Sequence, residues 1–220
     1  VENPILLRIR REAFTPLGWF EPTHEDHLPL PAKFVILIGN AGPDMFRRFM
    51  QERNTAKSSL DAWTRKKVDA LARDLDASAA YPFDAPPLPF LSWARKAGAG
   101  HMSPLGLNIH QTFGLWHAYR AALLFPVAFD LPAVSGGAHP CESCADKPCL
   151  SACPVSAFDG TSYDVATCGK HILSDAGKAC MSGGCKARLA CPVGKAFTYH
   201  PAQLKFHMRA FQAARKRNGV

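Results

Sequence analysis

The sequence predicts an α+β fold in two parts, residues 1–137 and 138–220. Three observations carry that expectation. The apolar run KFVILIG (Lys33–Gly39) shows no alternation and reads as a strand buried on both faces. Helical periods flank it on the C-terminal side, so strands and helices interleave and a sheet layered with helices follows. All eight cysteines lie between Cys141 and Cys191, so the second part is organised around thiols and not around a large apolar core.

Taken in order, residues 1–32 predict a first strand over Ile5–Ile9 and a wrapping arm through Pro22, Pro29 and Pro31. After the Lys33–Gly39 strand, Gly39-Asn40-Ala41-Gly42 predicts a turn. Pro43 then suits the first turn of a helix from Asp44 to about Glu52. Thr55 is the candidate cap of the next helix, in which Leu60, Trp63, Val68, Leu71 and Leu75 share one face. A short strand over Ala79–Phe83 ends at Asp84-Ala85-Pro86-Pro87, and a helix over about Leu88–Ala97 ends in Gly98. Leu105–His110 and Leu115–Phe125 predict strands around a turn at Gln111–Gly114. Ser135-Gly136-Gly137 is the expected hinge, and a last helix over roughly Pro201–Lys216 turns Leu204, Met208 and Phe211 inward.

Composition describes a water-soluble globular chain of 220 residues, 47% hydrophobic and 20% charged. No run of eighteen apolar residues is present, so a membrane helix is not expected. Arg10-Arg11 lacks the apolar segment that an export signal needs, and the expected location is the cytoplasm. The formal net charge is +8, and residues 138–220 carry eleven Lys/Arg against five Asp/Glu. A basic rim of this kind can dock an acidic partner; the alternative is a solvated tail from Arg209 to Arg217. No groove-reading motif accompanies it, which argues against nucleic acid.

The cysteines form two runs, each closed by Cys-Pro. The first is CESCADKPCLSACP, with Cys141, Cys144, Cys149 and Cys153; the second holds Cys168, Cys180, Cys185 and Cys191. Short gaps let neighbouring thiolates reach one inorganic cluster, and the proline fixes φ as the chain leaves it. Two Cys₄ zinc sites use the same ligands, and disulfides are the third reading. The pattern resembles the bacterial two-[4Fe–4S] ferredoxin module, in which the fourth cysteine of each run crosses to the other cluster. That resemblance implies Cys141, Cys144, Cys149 and Cys191 around cluster one and Cys153, Cys168, Cys180 and Cys185 around cluster two. Loading both clusters would lower the net charge to about +4.

The segment before the cysteines carries a second resemblance. Asp84-Ala85-Pro86, Ala97-Gly98-Ala99-Gly100, Leu105–His110 and Gly114-Leu115-Trp116 follow the order of motifs in the epoxyqueuosine reductase family. LPLPAKFVILIG and IHQTFGLWHAYR also resemble the cobalamin-processing family that removes the upper ligands of the vitamin. Both families, with the corrinoid reductive dehalogenases, share a nitroreductase-like α/β sandwich that binds base-off cobalamin. The resemblance spans about Phe14 to Pro192. It implies that an external donor, such as an acidic flavodoxin or ferredoxin, reduces the clusters, and that a corrinoid then reduces a small-molecule substrate or is itself reduced.

Within that reading Gly98, Gly100, Gly106 and Gly114 make room for the corrinoid, or are ordinary turn glycines. Trp116 sits in the matching Gly-x-Trp motif. Arg120 matches an arginine of the vitamin-processing family and meets either the cofactor or a structural carboxylate. Asp84 matches the proton donor of epoxyqueuosine reductase, or caps the helix that follows. His101, His110 and His117 are core or surface histidines, or else ligands. No Asp-x-His-x-x-Gly motif is present, so no axial histidine is expected. The reductase family continues past its clusters into a tRNA-gripping helical region, whereas this sequence stops about thirty residues after Cys191. A tRNA activity is accordingly not expected. A stand-alone two-cluster carrier and a cobalamin-processing protein remain the alternatives.

Overall fold

The computed structural model describes residues 3–55, 58–132, 134, 136–217 and 219. In chain order they form α1 (Pro4–Arg11), β1 (Thr15–Phe20), β2 (Phe34–Ala41), α2 (Asp44–Glu52), α3 (Leu60–Asp74), β3 (Ser78–Ala80) and α4 (Phe90–Lys96). Then follow β4 (His101–Met102), β5 (Asn108–Ile109), β6 (His117–Phe125), α5 (Pro148–Ser151), α6 (Val165–Leu173), α7 (Lys178–Gly183), α8 (Lys186–Ala190) and α9 (Pro201–Arg217). They gather into two compact units. One holds the residues up to Gly100 with His117–Gly137; the other holds His101–Trp116 with the residues from Ala138 onward. The β4–β5 hairpin, which the sequence assigns to the first part, is therefore grouped with the cysteines. Ser135 of the expected hinge lies outside the described residues.

The first unit is built on an antiparallel sheet of order β1-β2-β6-β3. β2 is buried from Phe34 to Asn40, as its apolar run requires of a central strand. Alternation divides its side chains between two layers. Val35 and Leu37 pack with Ala122, Leu124, Phe90, Trp93 and Ala94 on the α4 side. Ile36 and Ile38, fully buried, face the other way. Trp93 Nε1 donates to the Asp26 carbonyl at 2.8 Å and so ties the Pro-rich arm to α4.

Several expectations are corrected here. Ile5–Ile9 is helical, because Asn3 accepts the Ile5 N–H at 2.9 Å as N-cap and Pro4 stands in the first turn. Leu6 and Ile9 bury one side of that helix while Arg8, Arg10 and Arg11 favour its C-terminal end. Thr15–Phe20, read as part of the arm, is the edge strand β1, where Pro16 and Gly18 flank a bulge. The cap of α3 is Ser59, which accepts from Ala62 N at 3.3 Å, while Thr55 only turns the chain through Ser58. The turn after β2 is shorter than expected, since the strand runs through Ala41. The expected Leu105–His110 strand is reduced to Asn108–Ile109 in β5, paired with His101–Met102 in β4.

In the second unit short helices surround the thiols. Leu105, Ile109 and Leu115 bury against Ala157, Phe158, Ala187 and Cys191. α9 packs on α6 and α7, and Gln212 Nε2 donates to the Ile172 carbonyl at 2.8 Å. Among the described residues no helix is long and apolar enough to cross a membrane.

Candidate metal centre

Each cysteine is held by a short local device. His139 accepts the Cys141 N–H through Nδ1 at 3.2 Å, and its Nε2 lies 3.1 Å from the Met102 carbonyl. Its ring also stacks on His101 at 4.6 Å, so the first cysteine is anchored to the β4–β5 hairpin. Cys149 sits in α5, Cys168 in α6 behind the Asp164 cap, and Cys180 in α7. Cys185 and Cys191 bracket α8.

None of the eight is in a disulfide. Their mutual electrostatics divide them into two groups. The Cys141 thiol is pushed up to about 11, first by burial and then by Cys191, Cys149 and Cys144. Burial likewise raises Cys149, with Cys191 and Cys144 adding to it, and raises Cys191, with Cys144 adding. Burial raises Cys168 against an opposing bond from Tyr163, and Cys185 and Cys153 add to the rise. Cys180 is raised by burial and by Cys168 and Cys153; Cys185 is raised by burial and by Cys153 and Cys180. Cys191 thus keeps company with the first run and Cys153 with the second.

Buried thiols this crowded cannot all ionise beside one another without a cation among them. Four thiols in each group match the one thiolate per iron that a cubane takes, so the residues present fit an iron–sulfur cluster; the same donors would serve a Cys₄ zinc site.

The second group opens on a cavity of about 360 Å³, lined by Cys153, Cys168, Cys180 and Cys185 with Phe158 and Ile172 among its apolar walls. Its sulfurs are supplied with donors. Ala157 N donates to Cys153 Sγ at 3.4 Å, and Lys186 N to Cys180. Ala187 N and Arg188 N donate to Cys185. Two side chains that sequence reasoning missed join them. Tyr163 donates its hydroxyl to Cys168, and His171 Nε2 stands 3.8 Å from Cys180 Sγ. Tyr163 is fixed for that task by a strand bridge to Phe158 and by stacking on its ring at 4.5 Å. Their signal in the sequence was position alone: Tyr163 precedes Cys168 by a helix cap, and His171 follows it by one turn.

The remaining expected residues are dispersed over both units. Gly98, Gly100, Arg120 and Asp84 belong to the first; Gly106, Gly114 and Trp116 belong to the second. Gly98 has φ +64° and closes α4, where Ala99 N donates to the Ala94 carbonyl at 2.9 Å and Gly98 N to the Arg95 carbonyl at 3.1 Å. Gly100 has φ +142°, a backbone region that favours glycine. Arg120 reaches Asn40 Oδ1 at 3.4 Å and Asp61 at 3.7 Å, which is the structural-carboxylate alternative. Asp84 pairs with Arg65 and accepts the Tyr81 N–H at 2.9 Å. It does not cap α4, whose N-cap is Pro89.

Gly106 has φ +68° and lines the cavity, with nothing within 4 Å of a Cβ placed on it. Gly114, at φ +56°, lies where a Cβ would come within 2.0 Å of the Val193 carbonyl oxygen. It brings the Gln111–Gly114 turn against the segment just after Cys191-Pro192. His110 organises that turn by accepting Thr112 N at 3.0 Å and Phe113 N at 3.3 Å on Nδ1. Trp116 is buried, and its ring packs against Tyr199 and the Arg188 guanidinium, the latter bound to the Leu115 carbonyl. Its Nε1 has no hydrogen-bond partner among the described residues. His117 is buried edge-on against Tyr119.

No protein-family model matches the sequence, and no curated protein matches it. Solved structures do match. The epoxyqueuosine reductase of Streptococcus thermophilus superposes with a TM-score of 0.54 at 16% identity, covering 87% of this chain and 65% of that one. The Bacillus subtilis enzyme, solved with its catalytic loop swung out of the active site, gives 0.50 at 18% identity, with 89% and 66% covered. An epoxyqueuosine reductase bound to a tRNA-Tyr stem loop gives 0.52 at 19% identity, with 89% and 66% covered. That stem loop belongs to the neighbour. The chain spans about two thirds of the length of these proteins. What it shares with them is the fold, a mixed α/β, nitroreductase-like architecture of the kind that the solved epoxyqueuosine reductases display.

Proposed function

We propose that this chain is an iron–sulfur redox protein that carries two [4Fe–4S] clusters and relays electrons through them to a bound base-off corrinoid. The corrinoid then reduces a small substrate or is itself reduced. The observation that carries the reading is the division of eight unpaired thiols into two interacting quartets, each completed by a cysteine from the other run. The likeness in fold to reductases supports it.

When bound, the clusters supply one-electron chemistry without proton transfer. The chain's own groups do the rest. The thiolates would hold the irons, and the backbone N–H groups with Tyr163 and His171 beside the sulfurs of one quartet would offset negative charge added there. Apolar walls such as Phe158 and Ile172 exclude water. For the corrinoid the support is the fold, and the buried Trp116 Nε1 that lacks a partner among the described residues. Asp84 is the candidate proton donor and Arg120 a candidate cofactor contact; in the chain by itself they meet Arg65 and Asp61.

Anaerobic protein titrated with cob(II)alamin tests the relay. Binding with a shift of the corrinoid spectrum, followed by its reduction when the clusters are reduced, is expected. Cluster reduction with no corrinoid binding would leave the stand-alone carrier.

A further inference from the structure

We propose that the outer face of α9 is the docking surface for a small acidic electron-carrier protein, whose electrons enter at the quartet Cys153, Cys168, Cys180 and Cys185. The inference rests on the two-cluster reading and names where the donor meets it.

α9 has two unlike faces. Leu204 is buried, and His207, Met208 and Phe211 line the cavity onto which the quartet opens. The helix is fixed there by its packing on α6 and α7, which carry Cys168 and Cys180, and by the Gln212 bond to the Ile172 carbonyl. Gly184 lets it seat closely, since a Cβ there would lie 3.1 Å from Leu204. A carrier resting on the opposite face is therefore separated from the cavity by about one helix diameter, roughly 10 Å.

That opposite face is cationic. Lys205, Arg209 and Lys216 are exposed, and at 100° per residue they fall within an arc of about 40°. No Asp or Glu occurs after Asp175, while nine Lys/Arg do. A face that is merely solvated mixes both signs; α9 carries no carboxylate over Pro201–Arg217. The exposed residues beside the cations are Ala202, Ala210 and Ala213, and the nearest aromatic ring, Phe206, is half-buried, a poor platform for stacking bases. The surface suits a rigid acidic protein face, and its place on the cavity wall suits an electron donor. In the transfer one electron leaves the reduced carrier, which is oxidised by one unit, and the cluster passes from 2+ to 1+. No bond forms or breaks and no proton moves.

Opposite charges steer such encounters by factors of about 10 to 10³ at low salt. The test uses the full-length, cluster-loaded protein and a reduced acidic flavodoxin as the probe, mixed anaerobically in a stopped-flow instrument. The triple variant K205E/R209E/K216E should be reduced at least about tenfold more slowly at low ionic strength, and added salt should close the gap. Equal iron content and an equal final extent of reduction by excess dithionite show that the variant's clusters are intact. An unchanged rate in an iron-loaded variant overturns the docking surface alone. So does a variant that keeps its rate but no longer shifts a tRNA stem loop in a gel, which would make the stripe a nucleic-acid surface. A wild-type protein without iron overturns the two-cluster reading, and the docking surface with it.

Discussion

Gly106→Ala and Gly114→Ala form a matched pair that tests how closely the Gln111–Gly114 turn approaches the segment just after Cys191-Pro192. Both glycines hold positive φ, +68° and +56°, so both alanines pay a left-handed conformational cost of about 1 kcal/mol, partly offset by a stiffer unfolded chain. They differ in what the new methyl meets. At Gly106 there is nothing within 4 Å; at Gly114 the Val193 carbonyl oxygen is 2.0 Å away and Gly194 N is 3.2 Å away. An ordinary contact needs more than 1 Å of additional room, and Gly194 presses back on Phe113 just as closely. Overpacking of this kind costs about 1–3 kcal/mol. The expected losses are about 0–1 kcal/mol for Gly106→Ala and about 2–4 kcal/mol for Gly114→Ala. Urea unfolding followed by circular dichroism reads them. Because the displaced backbone follows Cys191, Gly114→Ala should also lose iron during purification while Gly106→Ala keeps it. Equal stabilities, or full iron in both, would refute the close approach.

Three further outcomes are expected. Tyr163→Phe removes the hydroxyl that donates to Cys168, so one of the two cluster potentials should move negative while the other stays, with iron content unchanged; redox titration followed by electron paramagnetic resonance reads both. For Glu52, partial burial raises the carboxyl, but bonds from Arg48, Lys67 and Trp63 outweigh it and bring it to about 2. Its contribution is complete above the unfolded value near 4.5 and is lost as pH falls toward 2, so Glu52→Gln should cost about 1 kcal/mol at pH 7, after allowance for solvent screening, and flatten the acid limb of a stability–pH curve. Burial lowers the pKa of His110, and protonating Nδ1 would break the bonds from Thr112 N and Phe113 N. Stability should therefore fall as pH drops below about 6.5, and His110→Asn, whose Oδ1 can accept the same donors without titrating, should remove that dependence.

Much of the sheet was legible because its centre is unambiguous. Phe34–Ala41 is apolar without alternation, and that pattern survives only where both faces are covered. The edges were not legible. Ile5–Ile9 has β-branched residues at both ends, so local propensity suggested a strand, while the decisive signal was the Asn3-Pro4 cap outside the run. β1 contains Pro16 and Gly18, which read as loop residues until a paired neighbour makes them an edge strand with a bulge. The cysteines' type and spacing marked them as a set that fits iron–sulfur clusters. Their partition did not follow from spacing, because it depends on how α8 carries Cys191 back toward Cys141. The side chains around them were hidden for the same reason: nothing in the order of residues sets Tyr163 apart until Phe158 pairs with it and aims its hydroxyl. The corrinoid-type residues were read from motif order, which cannot show that Asp84 and Arg120 already have partners in Arg65 and Asp61.

The most direct test of the account is a metal and acid-labile sulfide analysis of protein purified without oxygen. Two cubanes require about eight iron and eight sulfide per chain, with the brown colour of thiolate-bound iron. Colourless protein containing about two zinc and no sulfide would contradict it.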